Sequence, residues 1–148
     1  WEDSTNKDLR FRRNRIRQEL LPYLCEHFNP QVEKALAQTA VIAAAETTYL
    51  NSQAMALFEQ CVVKVSNTAW TIERAVLRQS PLALQRRVVR QLLQTAIAQP
   101  IHFLQIEKLI SLLGAPNGSQ SDPYPGGWLA QVKGSFVALT HKTPQKQS

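Results

Sequence analysis

Hydrophobic and polar positions change period several times along the chain, and each change marks an element. Residues 1–7 are polar and turn-like, with Asn6 or Asp8 placed to cap a helix that starts near residue 8. Leu9, Ile16 and Leu20 recur on one helical stripe with Leu24 beside it, so the helix runs to about Leu24, where Pro22 bends or ends it. "FNPQ" restarts a helix, with Asn29 as N-cap and Pro30 at its first position. From Pro30 to about Val65 there is no glycine or proline, and apolar residues such as Val32, Leu36, Ile42, Leu50, Leu57 and Cys61 recur throughout. This predicts a long helix, about 50 Å if unbroken at 1.5 Å per residue. "SNTAW" breaks it, and "AWTIERAVL" reads as a short strand. Ser80 as N-cap and Pro81 open a third helix, whose stripe is Leu84, Val88, Leu92, Ala96 and Ile97. Pro100 separates a further helix, "HFLQIEKLISLL", stopped by Gly114. A loop rich in Gly, Pro and Ser follows. "WLAQV-KGS-FVALTH" then gives two strands around a turn, a β-hairpin pattern, before a polar tail.

These elements predict a mainly α fold with a small β part, of α+β class. A long helical arm precedes a compact helical domain with a small antiparallel sheet and a C-terminal hairpin. The expected divisions are a basic junction over 1–28, a long linker helix over 29–66, an α+β domain over 67–143 and a tail over 144–148.

Composition narrows the function. The 148 residues are 44% hydrophobic, enough to bury a core. No run approaches the roughly 18 apolar residues of a membrane span, and no signal peptide is visible. The chain begins with Trp1, so it is expected to be a piece of a longer protein. Cys25 and Cys61 are far apart and lack a Cys-x-x-Cys pattern, as expected of reduced thiols in a cytoplasmic protein. His27, His102 and His141 have no ligand spacing, so no metal site is expected. His102 opens a helix and reads as structural. No paired carboxylates and no nucleophile with its base stand out, which argues against an active site in this chain.

The net charge of +6 suits an anionic partner. It is concentrated in Arg10, Arg12, Arg13, Arg15 and Arg17. On a regular helix Arg13 falls within the apolar stripe, Arg10 and Arg17 flank it, and Arg12 and Arg15 point away. If the stripe packs, Arg13 needs a partner. That partner is an acid such as Asp3 or Glu2, or a phosphate; otherwise Arg13 snorkels to water. Arg86, Arg87 and Arg90 form a second basic group on the third helix, either an RNA-facing patch or an exposed helix face. Lys133 and Lys142, at the hairpin turn and tail, are candidates to touch RNA. Trp128 and Phe136 fit core positions, with base stacking as the alternative.

"EDSTNKDLRFRRNRIRQELLPYL" resembles a segment of the tRNA(Ile)-lysidine synthetase family. The elements that match are Asp3, Thr5-Asn6, Arg13-Asn14, Arg17 and Leu21-Pro22-Tyr23-Leu24. Beyond Leu24 the resemblance is looser, ending in the "PGGW" hairpin. It implies a cytoplasmic, ATP-dependent ligase that adenylates the wobble cytidine of a tRNA(Ile) with a CAU anticodon. The amine of free lysine then displaces AMP, in chemistry that uses Mg²⁺. The family's ATP loop, Ser-Gly-Gly-x-Asp-Ser, has no counterpart here, since Gly126-Gly127 precedes a strand. ATP and Mg²⁺ are therefore expected in a domain outside this chain, and the chain alone is expected to be inactive. The resemblance makes the chain the junction and substrate-recognition region, with Arg13 as the leading residue and Asn14 and Arg17 in support. Two other readings stay open: a structural or protein-binding helical domain, and a DNA-binding helical module. The small-residue face of the long helix leaves room for a homodimer.

Overall fold

A computed structural model describes residues 11–141. Two compact units divide the chain, one ending at Thr47 and one starting at Thr48.

The first unit opens with a helical run in three parts: α1 (Arg12–Arg15), a π-helical turn (Ile16–Leu20) and α2 (Leu21–His27). Among the described residues the run begins at Arg12, directly after Phe11, which is extended at φ −84° and ψ 123°. The start expected near residue 8 lies outside the described residues. Pro22 does not end the run. It stands in the first turn of α2, directly after the wider π turn. A proline in a regular helix removes an amide donor and crowds the carbonyl one turn back, and a π turn changes the spacing where that conflict arises. The caps proposed at Asn6 and Asp8 lie outside the described residues.

The run closes where the Leu24 carbonyl accepts the amides of both Phe28 and Asn29. Asn29 is not the N-cap of the next helix: its Oδ1 accepts the Gln31 amide at 2.9 Å in a turn that precedes that helix. Helix α3 (Val32–Cys61) starts two residues after Pro30, which belongs to the turn. It also ends earlier than its composition suggests. Val62–Ser66 is strand β1, not helix. Val62, Val63 and Val65 are β-branched, and the long-range pairing with β2 outweighs the lack of a helix breaker.

In the unit from Thr48, β2 (Ala69–Glu73) pairs with β1 across a turn at Asn67 and Thr68. The predicted strand "AWTIERAVL" is therefore half strand and half helix, since α4 (Arg74–Gln79) follows at once. Helices α5 (Leu82–Ala96) and α6 (Phe103–Leu112) come next, then a 3₁₀ turn (Pro125–Gly127), β3 (Trp128–Lys133) and β4 (Phe136–His141). The four-stranded sheet has the order β1-β2-β4-β3, and every neighbouring pair is antiparallel.

Register aligns Val62, Ile72, Val137 and Val132 in one cross-strand row, and Trp70, Leu139 and Ala130 in the next. All seven are buried. Leu77 of α4, Val88, Val89, Leu92 and Leu93 of α5, and Ile106, Leu109 and Leu112 of α6 complete the same core. Helices and sheet thus form two layers around one interior. Trp128 is in that core, but Phe136 is 44% exposed, because it lies on the opposite face in register with Glu73 and Lys133.

Local details set the loops. Ser80 does not cap α5. Its hydroxyl donates back to the Val76 carbonyl at 3.1 Å, Pro81 takes the N-cap position, and Gln85 Nε2 donates to the Ser80 carbonyl at 2.7 Å. His102 does open α6, in a reciprocal cap with Gln105, whose Oε1 accepts the His102 amide at 2.7 Å. The hairpin turn is Gly134-Ser135, and Gly134 has a φ of +59°, which suits glycine at the first central position. Along the outer edge of β3 the loop bonds in both directions: the Gly118 amide donates to Val132 and the Val132 amide to Ser119. The loop therefore covers an edge that would otherwise be open to pairing.

Both cysteines are free. Burial, and behind it the carboxylate of Glu73, pushes the Cys61 thiol up to about 11. Burial, and behind it Asp122, pushes the Tyr124 phenol up to about 12. Both groups are acids whose neutral form is favoured in the fold. Stability is therefore full below their unfolded values of roughly 8.5 and 10 and is lost as pH rises through the folded ones. Urea midpoints should hold to about pH 9 and then fall. In Cys61→Ala the fall should begin about one unit later. A Cys61→Ala profile that starts to fall at the same pH as the wild type would show that the thiol does not drive it.

Candidate nucleic-acid interface

In the unit ending at Thr47, Arg12, Arg13, Arg15 and Arg17 are all exposed. The expectation that Arg13 is desolvated is not met. It requires a regular helix and a packed stripe. The π turn breaks the 100° progression, and Ile16 and Leu20 are each 48% exposed, so among the described residues the stripe is not packed. The buried polar side chain is its neighbour Asn14, at 5% exposure. Every buried side-chain nitrogen and oxygen among the described residues has a hydrogen-bond partner, Asn14 included. Asn14 is thus a fixed point of the segment and Arg13 an outward-facing one. Arg10 lies outside the described residues.

The acid within this arginine group is Glu19, which meets Arg15 Nε at 3.4 Å with both side chains more than half exposed. A surface pair of this kind contributes little. Four arginines against one glutamate leave a net +3 between Arg12 and Leu20. Arg12, Arg15 and Glu19 also line an open groove with Ile16, Leu20 and Tyr23, so charge and apolar surface alternate there.

The second basic group lies on α5 in the unit from Thr48. Arg86, Arg87 and Arg90 come together around one cavity of about 340 Å³, which Ala83, Phe103 and Ile106 complete. Their states differ. Arg86 forms a two-pronged pair with Glu107 of α6, Nε to Oε1 at 2.8 Å and Nη2 to Oε2 at 3.2 Å. That pairing raises the arginine and holds the Glu107 carboxyl below its ordinary value, so both stay charged. The Arg86 guanidinium also lies 5.2 Å from the centre of the Phe103 ring. Arg87 is half-buried and donates one bond, to Asn51 Oδ1 of α3 at 2.8 Å. Arg90 is exposed. Lys133 is exposed at the end of β3 and is not part of this lining. Lys142 lies outside the described residues.

Sequence reasoning places the three arginines on one helix but misses Glu107, Phe103 and Asn51. Glu107 is 21 positions from its partner, and no local pattern links the two. Among the described residues no group of three His, Cys, Asp or Glu side chains could hold a metal. None of the described helices is long and apolar enough to cross a membrane.

No family model matches the chain. It is 49% identical to the tRNA(Ile)-lysidine synthase of Nostoc sp. over 94% of its length. It is 45% identical to that of Synechocystis sp. over 96%. The chain belongs to the tRNA(Ile)-lysidine synthase family. A chloroplastic tRNA(Ile)-lysidine synthase of Zygnema circumcarinatum is 31% identical over 80% of the chain. The likeness to tRNA(Ile)-lysidine synthases therefore extends far beyond the arginine segment in which the motif is sharp. The chain spans 44% and 42% of the length of the Nostoc and Synechocystis relatives.

Proposed function

We propose that this chain is the tRNA-recognition portion of an ATP-dependent ligase. The complete enzyme converts the wobble cytidine of a tRNA(Ile) with a CAU anticodon to lysidine, using free lysine, in the cytoplasm. The observation that carries this is the group of four exposed arginines from Arg12 to Arg17, with Glu19 as the acid among them. Guanidinium groups open to solvent present several donors each to phosphate oxygens, and phosphate contacts set register and affinity. At the α5 cavity, the half-buried Arg87 and the exposed Arg90 add a second set of donors.

The chain holds no Ser-Gly-Gly-x-Asp-Ser loop to cradle a nucleotide triphosphate. We assign adenylation, with ATP and Mg²⁺, to the part of the relatives that this chain does not span. The chain alone should then bind tRNA yet form no lysidine.

The test is binding of the chain to a tRNA(Ile) with a CAU anticodon, another tRNA and a duplex DNA, over a salt series. A preference for tRNA that weakens with salt supports the reading. Equal binding to duplex DNA would point to a DNA module instead. No binding to any of the three would leave a protein-contact domain.

A further inference from the structure

The α5 cavity has a composition that the arginine pattern alone does not explain. Phe103 lines it, is 55% exposed, and is the first residue of α6. A large ring at the surface needs bracing to stay in place, and Arg86 provides it by lying over the ring while its own fork is held by Glu107. The charge of Arg86 is therefore offset, and its role at the wall is to hold the ring in position. Arg87 and Arg90 are three residues apart on α5 and so share a face. Arg87 uses one of its five N–H donors on Asn51, which orients it and leaves the others. Ala83 keeps the opening clear on one side, and the buried Ile106 supplies an apolar floor.

From these observations we infer that the α5–α6 cavity takes one unpaired nucleotide, with its base on the Phe103 ring and its phosphate between Arg87 and Arg90. This deepens the tRNA-recognition reading and rests on it for the choice of RNA. The cavity volume of about 340 Å³ lies at the small end of ligand pockets, the right scale for a single nucleotide. A base paired within a helix cannot offer its face to a ring, whereas an unpaired base in a loop or at an end can. Stacking tolerates any base, so the site reads strandedness and position rather than sequence.

The probes are a tetranucleotide of adenosines, a blunt RNA duplex and the CAU tRNA, each titrated by fluorescence anisotropy against the whole chain. The variants are Phe103→Leu and Arg90→Gln, both at exposed positions, with folding checked by circular dichroism. Phe103→Leu should weaken the tetranucleotide roughly tenfold and leave the duplex unchanged. Arg90→Gln should weaken it too and lower its salt slope by about 0.7. If wild type binds tRNA but not the tetranucleotide, or if Phe103→Leu changes nothing, the cavity assignment is overturned and the recognition reading stands. If the tetranucleotide binds through Phe103 while no tRNA is preferred over the duplex, the cavity stands and the recognition reading falls. Binding of none of the probes overturns both.

Discussion

Replacing Arg74 with methionine lowers the stability of the unit from Thr48 by about 3 kcal/mol, a large share of the roughly 5–15 kcal/mol of an ordinary domain. Arg74 opens α4, and its guanidinium donates three hydrogen bonds to main-chain carbonyls: Nε to Leu113 at 3.1 Å, Nη2 to Ala115 at 2.5 Å and Nη1 to Gly134 at 2.9 Å. Two of these acceptors follow the end of α6, where the last carbonyls have no partner within the helix and a cation is favoured by the helix dipole. The third is in the hairpin turn, where the Arg74 amide also donates to Ser135 at 3.0 Å. One side chain therefore ties the end of α6 to the β3–β4 turn, regions far apart in sequence.

Hydrogen bonds to a charged group contribute about 1.5–3 kcal/mol each, and partial exposure of Arg74 reduces their sum. Methionine keeps the stem and removes all three. Lysine keeps the charge but offers one point where three directions are needed, so it should recover less than half of the loss. Urea unfolding followed by tryptophan fluorescence reads this directly, because Trp70 and Trp128 are both in this core. A loss below about 1 kcal/mol in Arg74→Met would mean that water satisfies the three carbonyls equally well.

Arg74 also shows where sequence reading runs out. The fold class and hairpin follow from periodicity, as do α3, α5 and α6, because burial at helical or strand spacing leaves a local trace. Arg74 reads as one more charged residue after a strand, since its acceptors are main-chain atoms at positions 39, 41 and 60 residues away. β1 is hidden for a related reason. "CVVKVS" has no breaker before it, and only the pairing of Val62 with Ile72 and Lys64 with Trp70 makes it a strand.

The candidate site is legible in residue type but not in state. An ideal helix puts Arg13 in the apolar stripe, and the π turn at Ile16–Leu20 replaces that helix. Spacing groups Arg86 with Arg87 and Arg90 as a free cation, although Glu107 on another helix holds it. In both cases the charge is visible in the sequence and its surroundings are not.

Changing Arg12, Arg13, Arg15 and Arg17 together to glutamine should reduce tRNA affinity by about 500-fold at 0.1 M salt and by less than about tenfold at 0.5 M. Glu19 already offsets part of one arginine, so about three phosphate partners are at stake rather than four. Every phosphate that goes unneutralised flattens the dependence of log affinity on log salt by about 0.9, which gives a change in slope of about 2.7. The fold should tolerate the change, since all four side chains are exposed. Asn14→Ala is the contrasting variant. Asn14 is buried and hydrogen-bonded, so its truncation should lower the thermal midpoint without flattening the salt slope of the folded protein. The two substitutions thus separate charge from scaffold within one turn of helix. If the four-arginine variant keeps the wild-type slope, the arginines are a solvated face and RNA affinity must arise at the α5 cavity. If single changes at Arg13 and Arg17 account for most of the slope, the phosphate track lies along that side of the helix, and Arg12 and Arg15 serve the groove with Ile16 and Tyr23 instead.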